Sequence, residues 1–309
     1  MSAEPLSTGA AGAEPAGADR VRPEPARPER ADLERLSRDR ARLAAARTLL
    51  FVPGHRPDRF EKAAAAGADA VIIDLEDAVA PDGKDTARRH AADRLARGGD
   101  AVVRINAPGT PWWDADLDLV TAFGCPVMLP KAEDPEVIAR IAEVCAVIPL
   151  VETAAGIERA LDVCCAPGVV RAAFGSVDLA TELGVRHDDT LALAYARSRL
   201  VMACAAAGVA PPLDGVTTAL DDADALAQDL EHARRLGFGG KLCIHPKQLP
   251  AVTAGFAPTD EELAWARKVL AAGDAVSAVD GVMVDRPVQE RARRLLGVEL
   301  TTGPAGEWA

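Results

Sequence analysis

The chain has 309 residues, of which 49% are hydrophobic and 27% are charged, and its formal net charge is −12. This length accommodates one large domain, such as a parallel α/β barrel of about 250 residues, or two smaller domains. The negative charge argues against a nucleic-acid partner and against an anionic membrane surface, because both require a basic face on the protein. No apolar stretch approaches the ~18 residues of a membrane span.

The first 45 residues differ in composition from the rest of the chain. They are rich in Ala, Pro, Gly, Glu and Arg and contain few large apolar residues, so residues 1–45 are predicted to form a disordered tail. A helix over 32–47, leading into the first strand, is the alternative for the end of this segment. The segment lacks the apolar core of a secretory signal, and its acidic residues argue against an organelle transit peptide. The six cysteines form no CxxC pair, which favours buried, reduced thiols in a cytoplasmic protein.

From Arg47 onward, continuous apolar runs alternate with amphipathic stretches. Strands that alternate with helices of about 10–15 residues indicate βαβ units and a parallel sheet, and continuous apolar runs fit strands that are buried on both faces. Eight such repeats predict a (β/α)8 barrel over residues 46–256. An open doubly wound sheet is the alternative, but it requires a GxGxxG turn after the first strand, where this chain reads PGHRPDRF. The predicted strands cover residues 48–52, 70–75, 101–105, 126–130, 147–152, 170–175, 213–216 and 241–245.

The residues after the eighth repeat, 257–309, are predicted to form a C-terminal helical extension. A capping box, Thr259-x-x-Glu262, indicates the start of a helix. The following string DGVMVDRPVQERARRLLGVEL predicts a short hairpin or strand that ends at Asp285, and then a helix from about Pro287. Such an extension can reach over the mouth of a barrel, either its own or that of a neighbouring subunit.

Polar side chains stand where most of the predicted strands end. Because the carboxyl ends of the strands of such a barrel meet at one mouth, these side chains are expected to converge. Glu152 and Asp178 are two acids at this mouth, and they require a counter-charge. With no adjacent His or Cys, they favour an oxygen-preferring ion, Mg2+, with Mn2+ as the alternative. The converging set comprises Asp74, Glu76, Asp77, Arg104, Asn106, Lys131, Glu133, Glu152, Ser176, Asp178, His245 and Lys247.

The acids and Arg104 each have a structural interpretation as well as a functional one. Glu152 and Asp178 would alternatively belong to a buried ion pair rather than to a metal site. Asp74 and Asp77 would either cap the following helix or pair with Arg104. In the functional interpretation, the Arg104 guanidinium holds a substrate carboxylate or a developing enolate oxygen beside the metal.

The cationic and imidazole side chains of the set also have alternatives. Lys131 and Glu133 favour a structural ion pair or membership of a charge network. Lys131 as a Schiff-base lysine would require a depressed pKa in a dry pocket, which the nearby acids oppose. His245 could act as a ligand or a base, but the proline that follows it favours a hydrogen-bonded structural role.

Eight strings of the chain resemble successive blocks of one enzyme family. The likeness covers about residues 47–297, with the blocks in family order, and it is far more specific for the family than for the substrate. The family is the citrate lyase beta-subunit (CitE-like) family, within the group of HpcH/HpaI aldolases and malyl-CoA lyases in the phosphoenolpyruvate/pyruvate superfamily of barrels. The strings are RTLLFVPGHRPDRFEKA, GADAVIIDLEDAVAPDGKDTARR, VVRINAP, VMLPKAED, VETAAGIERA, FGSVDLATELG, GFGGKLCIHPKQL and MVDRPVQERARRLL.

The resemblance implies roles for the residues at the mouth. Glu152 and Asp178 match the Mg2+ ligands of the family, and Glu152 also lies near the substrate. Arg104 matches the arginine that binds the substrate and stabilises the thioester enolate. Arg47, the first residue of the first string, is assigned to substrate binding.

Further roles implied by the resemblance concern three acids and the assembly. Asp74 and Glu76 match the DLED turn of the family and are expected to organise metal-bound waters and Arg104. Asp285 matches an aspartate that malyl-CoA lyase-like members contribute from the adjacent subunit as the catalytic acid/base. The family forms trimers or hexamers, so a homotrimer or hexamer is expected.

The activity implied by the resemblance is that of a Mg2+-dependent carbon–carbon lyase. Its substrate would be a 3-hydroxyacyl-CoA thioester such as malyl-CoA, citramalyl-CoA or a citryl thioester, cleaved into a keto acid and an acyl-CoA or formed in reverse. The alternatives are an aldolase acting on free hydroxy-keto acids, a malyl-CoA-type thioesterase, and a citrate lyase beta subunit acting on an acyl carrier protein. A catalytically silent scaffold subunit is a further alternative, which the intact set of strand-end acids argues against.

Overall fold

The structure, a computed structural model, describes residues 30–272, 277–279 and 282–297. The predicted tail up to residue 29 and the part of the predicted extension beyond residue 297 lie outside the described residues. No helix in the described part of the chain is long and apolar enough to cross a membrane.

Eight parallel strands close into a barrel in chain order, each paired with the next and the eighth paired with the first. The predicted (β/α)8 barrel is therefore confirmed, and the open doubly wound sheet is excluded. The sixth and seventh strands are shorter than predicted, because only Ala173 and Leu213 are in register between them. The strands are β1 Thr48–Pro53, β2 Ala70–Asp74, β3 Val102–Arg104, β4 Val127–Leu129, β5 Val147–Val151, β6 Ala173–Phe174, β7 Leu213–Asp214 and β8 Gly240–Cys243.

Helices follow the strands and surround the barrel, and several begin at side-chain caps. Asp134 accepts a hydrogen bond from the backbone N–H of Glu136, and Asp222 accepts one from Ala225, so two helices begin at these acids. The helices of this part are α1 Arg30–Ala45, α2 Phe60–Ala64, α3 Lys84–Ala96, α4 Trp113–Phe123, α5 Pro135–Ala142, α6 Ala154–Glu158, α7 Ala160–Cys165, α8 Ser176–Leu183, α9 Ala194–Ala207, α10 Ala223–Leu236 and α11 Leu249–Gly255.

Successive residues of each strand face two different hydrophobic cores. Leu49 and Ile72 belong to a cluster in the barrel interior, whereas Leu50 and Ile73, one position further along, belong to the cluster between the barrel and its helices. This division follows from the two-residue period of a β-strand. Burial on both faces explains why the strands are continuous apolar runs.

Helix α1 packs across the amino-terminal end of the barrel. Its residues Leu36 and Leu43 are buried in the same cluster as the barrel interior, and the buried Arg171 guanidinium donates to the carbonyl oxygens of Leu43 and Ala46. Residues 30–45 are therefore helical, which corrects the assignment of this stretch to a disordered tail. The alternative of a helix over 32–47 agrees with this structure, and Leu36 and Leu43 are the apolar residues that anchor the helix.

The C-terminal extension forms a small unit with its own core. It consists of α12 Asp260–Ala271, the antiparallel strands β9 Ser277–Val279 and β10 Val282–Val284, and α13 Arg286–Leu295. The predicted capping box at Thr259 and Glu262 is present, and the predicted hairpin and helix follow. Buried Ala266, Val269 and Ala292 pack α12 against α13.

Candidate active site

The carboxyl ends of the strands surround a pocket of about 400 Å³. Asp74 ends β2, Arg104 ends β3, Glu152 follows β5, and Asp178 lies in the first turn of α8 after β6. All four side chains line the pocket, together with apolar residues that include Phe51. The expectation that these strand-end residues converge at one mouth is therefore met for these four.

Arg104 is fixed by two acids of the turn after β2. Its Nε and Nη2 donate to the two carboxylate oxygens of Asp74 at 2.8 and 2.6 Å, and its Nη1 lies 3.0 Å from Oε2 of Glu76. Asp74 also accepts from the backbone N–H of Glu76 at 2.8 Å. Burial would lower the pKa of Arg104, but the charge of Asp74 and its hydrogen bonds raise that pKa above its ordinary value. The guanidinium is thus held charged and in one orientation.

The turn that carries Glu76 is itself held by a buried lysine. The ammonium of Lys84, 5% exposed, donates to the carbonyl oxygens of Leu75 and Glu76, at 2.8 Å each, and to Oδ1 of Asn106 at 2.7 Å. Three donors thus meet three acceptors, which satisfies the buried group. Lys84 opens an amphipathic helix in the sequence, a position typical of a solvated lysine, so no sequence signal marks this role.

Glu152 and Asp178 share one cation, the ammonium of Lys131. This Nζ lies 3.2 Å from Oε1 of Glu152 and forms an ion pair with Asp178, and the backbone N–H of Lys131 donates to Oε1 of Glu152 at 2.9 Å. Burial raises the pKa of Glu152, and Lys131 opposes that rise. Two carboxylates that already bind one cation offer a set of oxygen ligands that fits Mg2+, which proteins commonly bind through one or two carboxylates.

No cluster of three or more His, Cys, Asp or Glu side chains that could hold a metal occurs among the residues that the structure describes. A preassembled cage of the kind that binds Zn2+ in structural sites is therefore not found there. The pair at the pocket leaves room for waters and substrate oxygens, in agreement with the ligand preference of Mg2+.

Burial opposes the ionisation of Glu76. Its side chain is buried, its Oε2 makes no hydrogen bond, and burial raises its pKa to about 8, with Arg104 opposing and Glu152 adding to the rise. The guanidinium does not prevent the rise, because its charge is largely engaged by Asp74. Glu76 therefore retains a proton near neutral pH in the metal-free protein.

This pKa predicts a pH dependence of folding. Between about pH 4.5 and 8 the unfolded chain has lost the Glu76 proton and the folded protein retains it, so the free energy of unfolding falls as pH rises. The stability that Glu76 contributes is fully present below about pH 4.5 and is lost as the pH rises through about 8. Between these limits the free energy of unfolding falls by up to about 1.4 kcal/mol per pH unit. Urea unfolding of wild type and Glu76→Gln in EDTA would measure this difference. Parallel curves from pH 5.5 to 8 would contradict the prediction.

Gly175 leaves space for the Glu152 carboxylate. A Cβ at this position would lie 2.6 Å from Oε2 of Glu152 and would also collide with its Cβ. Gly175→Ala is therefore expected to displace the carboxylate, to weaken Mg2+ binding about tenfold or more and to lower the free energy of unfolding by about 1–3 kcal/mol. Calorimetric Mg2+ titration and urea unfolding would measure both. The control is Gly83→Ala, where the nearest atom lies at 3.3 Å; equal Mg2+ affinity in both variants would refute the displacement.

Three predicted site residues do not line this pocket, namely Glu76, which lies behind Arg104, Arg47 and Asp285. Arg47 precedes β1, so it lies at the amino end of the barrel, where its carbonyl oxygen accepts from the backbone N–H of Lys241 at 2.8 Å. The assignment of Arg47 to substrate binding is therefore wrong for this pocket, because the first strand runs the full depth of the barrel between them. Asp285 caps α13 by accepting from the backbone N–H of Val288 at 3.2 Å, and it is not among the described residues that line the pocket.

Other predicted side chains take structural roles. Glu133 accepts from the hydroxyl of Thr153 at 2.6 Å, so the expected pairing of Glu133 with Lys131 is replaced by the pairing of Lys131 with Glu152 and Asp178. The pKa of Lys131 is raised, since its acidic partners outweigh burial, which opposes a Schiff-base role. His245 accepts from the backbone N–H of Lys247 at 3.1 Å and caps a 3-10 turn. The six cysteines are free; five are buried and Cys165 is exposed.

Comparison with known proteins gives the family. Residues 47–246 match the HpcH/HpaI aldolase/citrate lyase family. The chain belongs to this family. Members of the HpcH/HpaI aldolase/citrate lyase family are lyases, so the expectation of a lyase of the citrate lyase beta-like group is confirmed.

Relatives within the HpcH/HpaI aldolase/citrate lyase family cover most of the chain. A citrate lyase subunit beta-like protein of Deinococcus radiodurans is 38% identical over 283 residues, which span 83% of this chain and 98% of that protein. A (3S)-malyl-CoA thioesterase of Cereibacter sphaeroides is 35% identical over 266 residues, with 81% and 93% covered. The crystal structure of CitE from Mycobacterium tuberculosis in complex with magnesium, acetoacetate and coenzyme A superposes with a TM-score of 0.73 at 39% identity, and the match covers 82% of this chain and 98% of that one.

Proposed function

We propose that this protein is a Mg2+-dependent carbon–carbon lyase that cleaves, or in reverse forms, a 3-hydroxyacyl thioester of coenzyme A. The observation that carries the proposal is the arrangement of Arg104, fixed by Asp74, across one pocket from the acid pair Glu152 and Asp178. The pocket thus combines a site for a hard cation with a fixed guanidinium. These are the two elements that an enolate-forming cleavage requires.

Glu152 and Asp178 are the residues that would hold the ion. A Mg2+ ion, or Mn2+ in its place, supplies Lewis acidity toward the oxygens of the acid end of the substrate. The relative from Mycobacterium tuberculosis was crystallised with magnesium together with acetoacetate and coenzyme A, which supports the choice of Mg2+ as the ion. Glu152, which is 3% exposed and lines the pocket, would also contact the acid end of the substrate.

Arg104 acts on the thioester end. Transfer of the substrate hydroxyl proton to a carboxylate base, the role proposed below for Asp285 of a second copy, allows the carbon–carbon bond to break, so that one fragment leaves as a keto acid and the other as a thioester enolate. The guanidinium stabilises the enolate oxygen, and protonation of the enolate carbon completes the acyl-CoA product. Asp74 keeps the guanidinium in place through two hydrogen bonds from Arg104, and Glu76 lies 3.0 Å from its Nη1.

A cationic pocket beside the mouth supports a phosphorylated carrier. It has a volume of about 530 Å³ and shares Phe51, Pro53 and Ile244 with the first pocket, and Arg56, Arg59 and Lys62 also line it. Arg56 is engaged by Asp58, whereas Arg59 and Lys62 form no ion pair within the described residues. Coenzyme A carries phosphates on one side of a flexible thioester arm, so its phosphates would bind here while the acyl group enters the neighbouring pocket.

The test is a substrate panel with the purified full-length protein and Mg2+. Malyl-CoA, citramalyl-CoA and citryl-CoA are incubated beside aldol adducts of free pyruvate, and keto acid and free thiol are measured separately. Keto acid without equivalent thiol supports the lyase. Thiol in excess of keto acid supports a thioesterase, the candidate that the Cereibacter relative favours. Turnover of the free adducts alone supports an aldolase, and no turnover of any thioester refutes the proposal.

Asp285 is proposed to provide the enolate proton from a second copy of the chain in a homotrimer or hexamer. The support is the family resemblance of the string MVDRP, together with the absence of Asp285 from the described lining of its own pocket. Arg104→Ala and Asp285→Ala are each expected to lose activity, and mixed oligomers are expected to regain a measurable part of it. Activity that stays absent after proven subunit exchange would count against a shared site.

A further inference from the structure

Lys131 takes no part in the proposed reaction, and its ammonium lies between the two acids of the pocket. We propose that Lys131 is an internal counter-ion: it holds Glu152 and Asp178 together in the metal-free protein, and Mg2+ displaces it on binding. The inference rests on the proposed function in one respect, the assignment of Mg2+ to these two acids.

Lys131 holds Glu152 from two directions. Its backbone N–H donates to Oε1 of Glu152 at 2.9 Å, and its Nζ lies 3.2 Å from the same oxygen. Its φ of 48° is the one positive value of a non-glycine residue in the described part of the chain, a conformation that is unfavourable for a residue with a Cβ. Such backbone strain persists where the surrounding structure enforces it, and it clusters at functional sites. Here the left-handed turn lets one residue present both its amide and its ammonium to Glu152.

The ammonium and a metal ion compete for the same oxygens. Within the described residues, the ion pairs of Glu152 and Asp178 are those with Lys131. Mg2+ requires carboxylate oxygens at about 2.0–2.1 Å, so its centre would lie within a few ångströms of the present Nζ position. Two cations so close repel each other strongly in a pocket of reduced dielectric constant. Binding of the ion therefore favours departure of the ammonium.

The side chain of Lys131 has access to solvent. Lys131 is 35% exposed and Asp178 33% exposed, whereas Glu152 is 3% exposed. The lysine thus reaches the acids from the solvent side on a flexible stem, and it can swing out without disturbing the barrel core.

The first experiment measures Mg2+ affinity of the full-length protein by isothermal titration calorimetry, without substrate. Lys131→Met removes the ammonium and keeps the length of the stem, so Mg2+ is expected to bind about tenfold more tightly than to wild type. Lys131→Arg retains the charge and is expected to bind Mg2+ close to the wild-type affinity. Lys247→Met is the matched control, since it removes an exposed ammonium after β8 that pairs with Asp221, and its affinity should not change.

The second experiment detects the displacement directly. Reductive methylation followed by mass spectrometry compares the labelling rates of Lys131 and Lys247 with and without Mg2+. The ion is expected to raise the rate at Lys131 several-fold and to leave Lys247 unchanged. This readout separates displacement from simple charge repulsion, which would tighten Mg2+ binding in Lys131→Met without exposing the wild-type amine.

The outcomes separate the inference from the proposed function. If wild type binds Mg2+ and Lys131→Met binds no more tightly, or if Mg2+ leaves the labelling of Lys131 unchanged, the counter-ion role is wrong while the metal site stands. If neither protein binds Mg2+, the metal assignment and the inference both fail. Should Lys131→Met not fold, Lys131→Gly removes the ammonium and also relieves the left-handed strain, and the same tightening is expected of it.

Discussion

Glu152→Gln is expected to lower Mg2+-dependent turnover about a thousandfold or more and to weaken Mg2+ binding. Glutamine keeps the shape of the side chain, and its Oε1 still accepts the backbone N–H of Lys131 that now lies at 2.9 Å. The substitution removes the negative charge and leaves Asp178 as the single anionic ligand. Carboxylates supply most of the attraction of a protein site for Mg2+. The main effect of losing this charge is therefore weaker Mg2+ binding, and the loss of turnover follows from it.

The measurements are calorimetric Mg2+ titration and initial rates with the thioester that the panel identifies. Asp178→Asn should behave similarly. Glu133→Gln is the matched control, because Glu133 is a partly buried acid close to the site that accepts from Thr153 rather than from Lys131. Less than a threefold change is expected for it. Full activity in Glu152→Gln at limiting Mg2+ would remove the metal site from the proposal.

The barrel and the residues at its mouth follow from local patterns in the sequence. Strand ends are marked by apolar runs that stop at a charge, as at Asp74 and Glu152, and parallel strands bring such ends together whatever the details of packing. The pairing of Arg104 with Asp74 was one of two alternatives, and the register of β2 on β3, which places Asp74 opposite Arg104, decides it. Periodicity therefore predicts which side chains share the mouth.

Contacts that depend on three-dimensional approach were not predictable in this way. The role of Lys84 depends on the carbonyl oxygens of Leu75 and Glu76 turning toward α3, which no spacing of side chains encodes. The bridging by Lys131 depends on one left-handed residue. For Arg47 the sequence predicted a role that the structure does not support. Arg47 was assigned to substrate binding, but it precedes β1 and therefore lies at the end of the barrel opposite to this pocket. A motif identifies a block of sequence. Whether a residue precedes or follows its strand then determines at which end of the barrel it lies.

Arg104→Lys is the second substitution with a large expected effect, a fall in kcat of about a hundredfold to a thousandfold. Lysine keeps the charge but has no planar fork, so it cannot donate to both oxygens of Asp74, now at 2.8 and 2.6 Å, and approach Glu76 as well. The ammonium would move toward one acid and away from the place where the enolate oxygen forms. An interaction made mainly in the transition state lowers kcat when it is lost, with a smaller change in KM.

The assay therefore compares kcat, KM and Mg2+ affinity in the same preparations. Mg2+ affinity should stay near wild type in Arg104→Lys, because Glu152 and Asp178 are intact, and this separates the variant from Glu152→Gln. Arg88→Lys is the control: Arg88 donates to the buried Asp116 at 2.7 Å, outside the lining of the pocket, so it should lose stability but keep its kcat. Asp74→Asn, which frees the guanidinium without altering it, should reproduce part of the loss in kcat. If Arg104→Lys instead raised KM alone, Arg104 would be a binding group for the substrate ground state, and the enolate oxygen would have to be stabilised by another group at the mouth.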